Sequence, residues 1–241
     1  MGQGDVDRSL KEMEKIWDQL KDPSLDIPNK QKVDVHKVSA KSLLTVQRFD
    51  EANIQLEKGL VLEPRNHNLL FLKAQILIES QADFEEGRKL LRLVKRGKNI
   101  SVKDKINAIL RHRSEEANAQ LFIAFVLLAF DSSKKEIEPY LVKLKNGSAL
   151  KSNENVKGPD GYKEIGLYIL KAYYFSKQNE EENAAINFYE AARRYNWQGA
   201  VEIARFYFSE VKKWIQTENF DWEKALEVDP DFIQYLSLIH I

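Results

Sequence analysis

The chain has 241 residues, 43% apolar and 31% charged, enough for one large or two small domains with a real core and a wet surface. Lys and Arg total 37 and Asp and Glu total 37, so no global charge points to nucleic acid or membrane. Cysteine is absent, which excludes disulfides, thiolate metal sites and a cysteine nucleophile and fits a reducing, cytoplasmic setting. Ten glycines and six prolines are few for a chain of many tight turns, so composition leans to an all-α fold.

The N-terminal MGQGDVDRSL lacks the basic start and apolar core of a secretory signal, and Val6 stands where a myristoylation motif at Gly2 wants Ser or Thr. Residues 5–21 read as an amphipathic helix with Leu10, Met13, Ile16, Trp17 and Leu20 on one side, and the prolines at 23 and 28 mark a linker, so 1–32 form an N-terminal helix and linker. Residues 33–66 read as a helical hairpin. Ala52, Leu56 and Gly59 stand four and three apart on one helix face, and Pro64 stops that helix. Small residues in such a stripe let a second helix approach closely. Ala40 is the small residue of the preceding helix, with His36, Ser39 and Leu43 around it.

A second hairpin follows from His67: Leu70, Ala74 and Leu77, then Gly87, Leu91 and Val94 one residue late, with Gly97 ending its second helix. The longest apolar run, LFIAFVLLAF at 121–130, spans about 15 Å as a helix, half a bilayer core, and reads as a buried helix. Ala124 is its small packing residue. Ser133 with Glu136 three residues on reads as a capping box, opening a return helix at 137–145 with Pro139 in its first turn. Residues 146–161, NGSALKSNENVKGPDG, carry three glycines and a proline and read as a linker between lobes at 33–145 and 162–235. In the second lobe Tyr168, Lys171, Ala172 and Phe175 precede Ala184, Phe188 and Ala191. A last pair keeps Trp222, Ala225 and Pro230, with Phe206 in the slot that wants a small residue.

These windows resemble tetratricopeptide repeats, and YEAARRYNWQGAVEIARFYF also resembles the related Sel-like repeats. His36, Ser39, Glu136, Lys171 and Phe206 depart from the pattern. The resemblance implies an all-α, right-handed α-solenoid of antiparallel helix pairs, in two lobes, whose first helices line a groove. Transferred residue by residue, it places Asp34, Lys37, Lys41 and Leu44 in that groove, with Asn68, Phe71, Gln75 and Ile78 from the second repeat. The third repeat gives Asn118 and Phe125, and the fourth Ile169 and Tyr173. Of these, Lys37, Lys41, Asn68, Phe71, Gln75, Asn118, Phe125 and Tyr173 are the candidate partner-binding residues. Phe71 and Tyr173 lie off the packing slots and are expected to be more exposed than Leu70 or Ala172. The clamp with which chaperone co-factors of the family grip a C-terminal carboxylate is not expected. Lys37 fits its first position, whereas Lys41, Leu72, Val102 and Ile106 depart from the rest.

The four histidines stand apart, and no HExxH, phosphate loop, dinucleotide fingerprint or GxSxG elbow occurs, so neither a catalytic, a cofactor nor a metal site is expected. Charge is uneven: residues 88–113 hold ten Lys or Arg and one acid, Asp104, and residues 179–231 hold twelve acids and six bases. The expected function is a protein–protein interaction scaffold holding a peptide or helix, with Phe71 as an apolar anchor and Lys37 and Lys41 steering acidic ligands. The alternatives are a nucleic-acid-binding helical repeat using residues 88–113, or a regulatory segment of a larger protein. The final LSLIHI, residues 236–241, looks like the translation of a sequencing adapter, so a non-native tail on a fragment is expected.

Overall fold

The computed structural model describes residues 8, 11–12, 15–19, 26–80, 82–97, 101–146, 165–197 and 199–237, and all regular structure among them is helical. The chain divides into two compact units, Met1–Ile106 and Asn107–Ile241. The lobes were expected to meet at residues 146–161, nearly all of which lie outside the described residues. The apolar helix packs with the return helix expected to pair with it and also with the helix after that.

Unit 1 is built from α1 (Asn29–Thr45), α2 (Phe49–Leu62), α3 (His67–Glu79), α4 (Phe84–Arg96) and the start of α5 (Val102–Arg113). Consecutive helices pair, α1 with α2 and α3 with α4, while α3 also packs on α2 and α1. The small-residue stripes lie at these crossings. Ala40, Ala52 and Ala74 are fully buried. A β-carbon on Gly59 would stand 2.9 Å from Leu69 Cδ1, and one on Gly87 only 2.7 Å from Ile78 Cγ1. The core between α1, α2 and α3 is aliphatic, centred on Leu43, Leu56, Leu69 and Ile76, with Trp17 packed against its edge. Asn66 caps α3 by accepting from the amides of Asn68 and Leu69, and Asp83 caps α4 by accepting from that of Glu86. Gly97 ends α4 as expected, in an extended rather than a left-handed conformation (φ −83°). The His67 ring occupies the space where a side chain at Gly97 would go.

Unit 2 holds the rest of α5, then α6 (Ala117–Ala129), α7 (Lys134–Asn146), α8 (Ile165–Lys177), α9 (Glu181–Trp197), α10 (Val201–Ile215), α11 (Trp222–Val228) and α12 (Phe232–Ser237). The run read as a buried helix is one: every residue from Ala119 to Leu128 is buried, and α6 packs against both α7 and α8. No helix among the described residues is long and apolar enough to cross a membrane. The reach-back half of the Ser133–Glu136 capping box forms, the Glu136 carboxylate accepting from both the amide and the hydroxyl of Ser133 at 2.8 Å, while the Glu136 amide donates to the Ser133 carbonyl. It starts α7 at Lys134, so Pro139 lies beyond the first turn rather than in it, exposed on the outer face. Ala172, Ala184, Phe188 and Ala191 are fully buried between α8, α9 and α10. In α10 the inward residues are Ala204 and Tyr207, and Phe206 points out, so the small slot belongs to Ala204. Leu236, first residue of the suspect tail, is buried in α12, while residues 238–241 lie outside the described set.

The first helices of the hairpins share one ending. Arg48, Ala82, Ser132 and Glu180 each donate their amide back across a full turn, to the carbonyls of Leu43, Leu77, Leu127 and Phe175. Gln47, Asp131 and Asn179, which precede three of these donors, have φ near +58°. This is the Schellman closure, which uses one left-handed residue to satisfy the orphan carbonyls and turn the chain back. The first two closures, at Leu43 and Leu77, stand 34 residues apart.

Candidate ligand-binding site

In unit 1 the exposed side of α1 carries Asp34, Val38, Lys41 and Thr45, with the partly exposed Lys37 among them, residues three and four apart that share one helix face. Lys37 is held by an ion pair to Asp34, and that bond keeps the Asp34 carboxyl below its ordinary range, aided by the charges of Lys37 and Lys30. Val38, an apolar residue 50% exposed, lies between the two lysines.

The second contribution comes from the start of α3, and the third from α5, which sequence reasoning did not place here. Lys105 Nζ donates to Asn68 Oδ1 at 2.7 Å and stands 5.6 Å from the centroid of the Phe71 ring. An ammonium only donates, so the Asn68 oxygen must face it, and the Asn68 amide nitrogen keeps its two donors for something else. Lys105 is half-buried. Burial pushes its pKa below the ordinary lysine value, and the charges of Lys41 and Lys37 push it the same way. Among the described residues no carboxylate pairs with Lys105 or with Lys41. The site is therefore a cluster of three ammonium groups with one acid, Asp34, and an aromatic floor.

Several expected groove residues lie elsewhere. Phe71 is 2% exposed and Gln75 5%, so the expected exposure of Phe71 is corrected: its ring is covered, and Leu70 is the more exposed of the pair. The cause is the all-round burial of α3, which has neighbours on several sides, so few positions remain free on it. Gln75 turns along its own helix and donates to Glu79 at 2.7 Å. Leu44, Ile78 and Ile169 are core residues as well. In unit 2, Phe125 is 1% exposed and serves the core of α6, Asn118 is half-buried in its first turn, and Tyr173 is half-buried with its ring edge-on to Phe188 at 4.9 Å. The structure thus joins Lys37, Lys41, Asn68 and Phe71 in one place and gives Phe125 and Gln75 to packing.

Arg88 and Lys89 pair with Glu85 and Glu86 on their own helix, and Arg113 pairs with Glu116. Among the described residues of the stretch 88–113, Lys105 joins the site. The signal that could have found it is its place three residues into α5, but nothing in one sequence says that this turn lies against Asn68 and Phe71.

Unit 2 holds a second cationic cluster. Arg194 is 9% exposed, ion-paired to Glu190, with its guanidinium carbon 4.1 Å from the centroid of the Tyr168 ring and Nη2 3.2 Å from the Tyr168 hydroxyl. Arg193 also binds Glu190, at 3.0 Å, and stands 4.6 Å over the Trp197 ring. Here each cation has a carboxylate and an aromatic face, which makes the cluster a closed structural unit. Among the described residues, no group of three or more His, Asp and Glu is placed to hold a metal ion. Comparison with known protein families, with curated proteins and with solved structures found no match to the chain.

Proposed function

We propose that the protein is an interaction scaffold of tetratricopeptide-like helix pairs, and that a peptide or helix from a protein partner lies across α1 and α3 of unit 1. The observation that carries this reading is the recurrent architecture of the first helices. Each of four hairpins closes its first helix with the same full-turn hydrogen bond, and α1 and α3 are packed side by side with polar groups gathered at one place. A stack of like hairpins presents an extended surface from its first helices, the geometry repeat proteins use for binding. On this surface Val38 is the accessible apolar contact, and Lys37 and Lys41 attract acidic segments.

The nucleic-acid reading has less support, because three cations of the stretch, Arg88, Lys89 and Arg113, are engaged with neighbouring glutamates. The test is selection from a displayed peptide library against the full chain, followed by affinity measurement on Val38→Glu and Lys41→Glu. The expected result is enriched acidic peptides that weaken about tenfold or more on each variant. Peptides that bind the variants as well as the parent chain, or no enrichment at all, overturn the placement of the groove.

A further inference from the structure

We propose that Lys37, Lys41 and Lys105, with the side-chain amide of Asn68, form a subsite for a phosphate monoester dianion carried on the bound peptide. The inference rests on the groove reading above for the peptide, and on unit 1 itself for the anion.

Charge comes first. Asp34 is committed to Lys37, which leaves Lys41 and Lys105 without a carboxylate among the described residues, a balance of two positive charges. Lys105 is half withdrawn from water and faces cations of its own sign, and among the described residues no carboxylate answers it; its contacts are the Asn68 amide oxygen and the Phe71 ring. Its one hydrogen-bond partner, Asn68, is neutral. A ligand with two negative charges supplies what the unit lacks. A phosphate monoester carries nearly two at neutral pH, whereas a side-chain carboxylate or a phosphodiester carries one.

Donor geometry points the same way. The cations are lysines, compact point charges suited to the tetrahedral oxygens of a phosphate, rather than the arginine forks that match a planar carboxylate edge-on. Lys41 Nζ, Lys105 Nζ and the Asn68 amide nitrogen provide donors from α1, α5 and α3, and the phosphate has three acceptor oxygens besides its ester oxygen. The set is also distinct from a chaperone-tail clamp, because Leu72 and Ile106, two positions of that clamp, are buried apolar side chains. Val38 on α1 stands beside the lysines to receive the flanking residue of the peptide.

The experiment is an NMR titration of the full chain with acetyl-Gly-phosphoserine-Gly-amide, reading the Asn68 side-chain amide and the Lys105 ε-methylene. The matched serine and glutamate peptides, inorganic phosphate and a single-stranded oligonucleotide are run beside it. The phosphopeptide should shift both signals saturably and raise the pKa of Lys105, because an anion favours the charged amine. It should bind at least about tenfold more tightly than the glutamate peptide, the scale of added charge-assisted hydrogen bonds. Lys105→Gln and Lys41→Gln should each weaken it about tenfold. Lys58→Gln, on α2 outside the site, should leave it unchanged. Absence of a saturable shift, equal binding of the glutamate peptide, unchanged affinity in Lys105→Gln, or tighter binding of the oligonucleotide overturns the subsite. The two readings fail separately. Saturation by inorganic phosphate with no gain from the peptide form upholds the dianion site and removes the peptide groove. Library peptides that need Val38 but ignore phosphorylation do the reverse.

Discussion

Lys105 in unit 1 and Arg194 in unit 2 are both cations withdrawn from water, and their surroundings are opposite. Arg194 faces a carboxylate, Glu190, and the π-face of Tyr168, so its charge is answered on two sides. Lys105 lies over the face of Phe71 but has a neutral amide and two like charges for polar company. The first arrangement recovers by attraction what burial costs; the second does not. A compensated buried charge holds a fold together. An uncompensated one on an accessible face is what the anion of the proposed subsite would answer.

The largest expected effect tests the compensated side. Arg194→Met leaves Glu190 buried with only Arg193 to answer it and strips the cation from the Tyr168 ring. Unfolding in urea should show a loss of about 3 kcal/mol, the lower end of what breaking a buried pair costs. A loss near zero would mean that Arg193 suffices and that the contrast between the clusters is false.

Next comes the frame of the other cluster. Gly97→Ala drives a β-carbon into the His67 ring, which adjoins Asn68 at the start of α3. Overpacking of this kind costs about 1–3 kcal/mol, and His67→Ala in the same chain should recover most of it. Failure of the second substitution to rescue would place the strain elsewhere than at α3.

Lys105→Met sharpens the comparison most directly. The same type of change that harms unit 2 at Arg194 should leave the thermal midpoint of the protein unchanged or raised, because it removes a desolvated charge and two repulsions at the expense of one hydrogen bond and the cation's contact with the Phe71 ring. A fall in midpoint as large as that of Arg194→Met would make Lys105 a structural residue.

The smallest effects are the pH slopes. The folded-state pKa of Lys105 is lowered, so its destabilising charge is fully present below that value and fades as pH rises toward the unfolded value. The stability of the parent chain relative to Lys105→Met should therefore increase with pH between the two. Tyr174, buried in unit 2 and donating to Glu138 at 3.3 Å, has its phenol pushed up to about 12 by burial and by the Glu138 charge. Its contribution is intact below the unfolded value of about 10 and is lost as pH rises from there through about 12. Tyr174→Phe should abolish that downward slope. Paired denaturation curves across this range check both signs, and slopes of the same sign for the two residues would contradict the assigned causes.

Much of the helical framework was legible in single residues. The stripe Ala52–Leu56–Gly59, the box Ser133–Glu136 and the run through Ala124 each encode a local outcome, because helix periodicity, capping and hydrophobic burial act within a few residues of chain. The left-handed closures at Gln47, Asp131 and Asn179 were not legible, since no glycine marks them and the flanking helices impose the conformation. Pro139 and Phe206 went astray for a related reason: a helix start three residues early, or a face rotated by one position, changes what is inside without changing the pattern.

Composition and spacing by themselves determined that this chain is helical and where its small residues pack, while Lys37, Lys41 and Asn68 were placed only by the resemblance to tetratricopeptide repeats. Tertiary structure decided which of those residues remain available. It enclosed Phe71 and Gln75, because α3 is flanked by helices on several sides, and it brought Lys105 from a stretch distant in sequence to the Asn68 amide. Burial and charge compensation are sums over neighbours in space, so neither can be read from one residue's place along the chain.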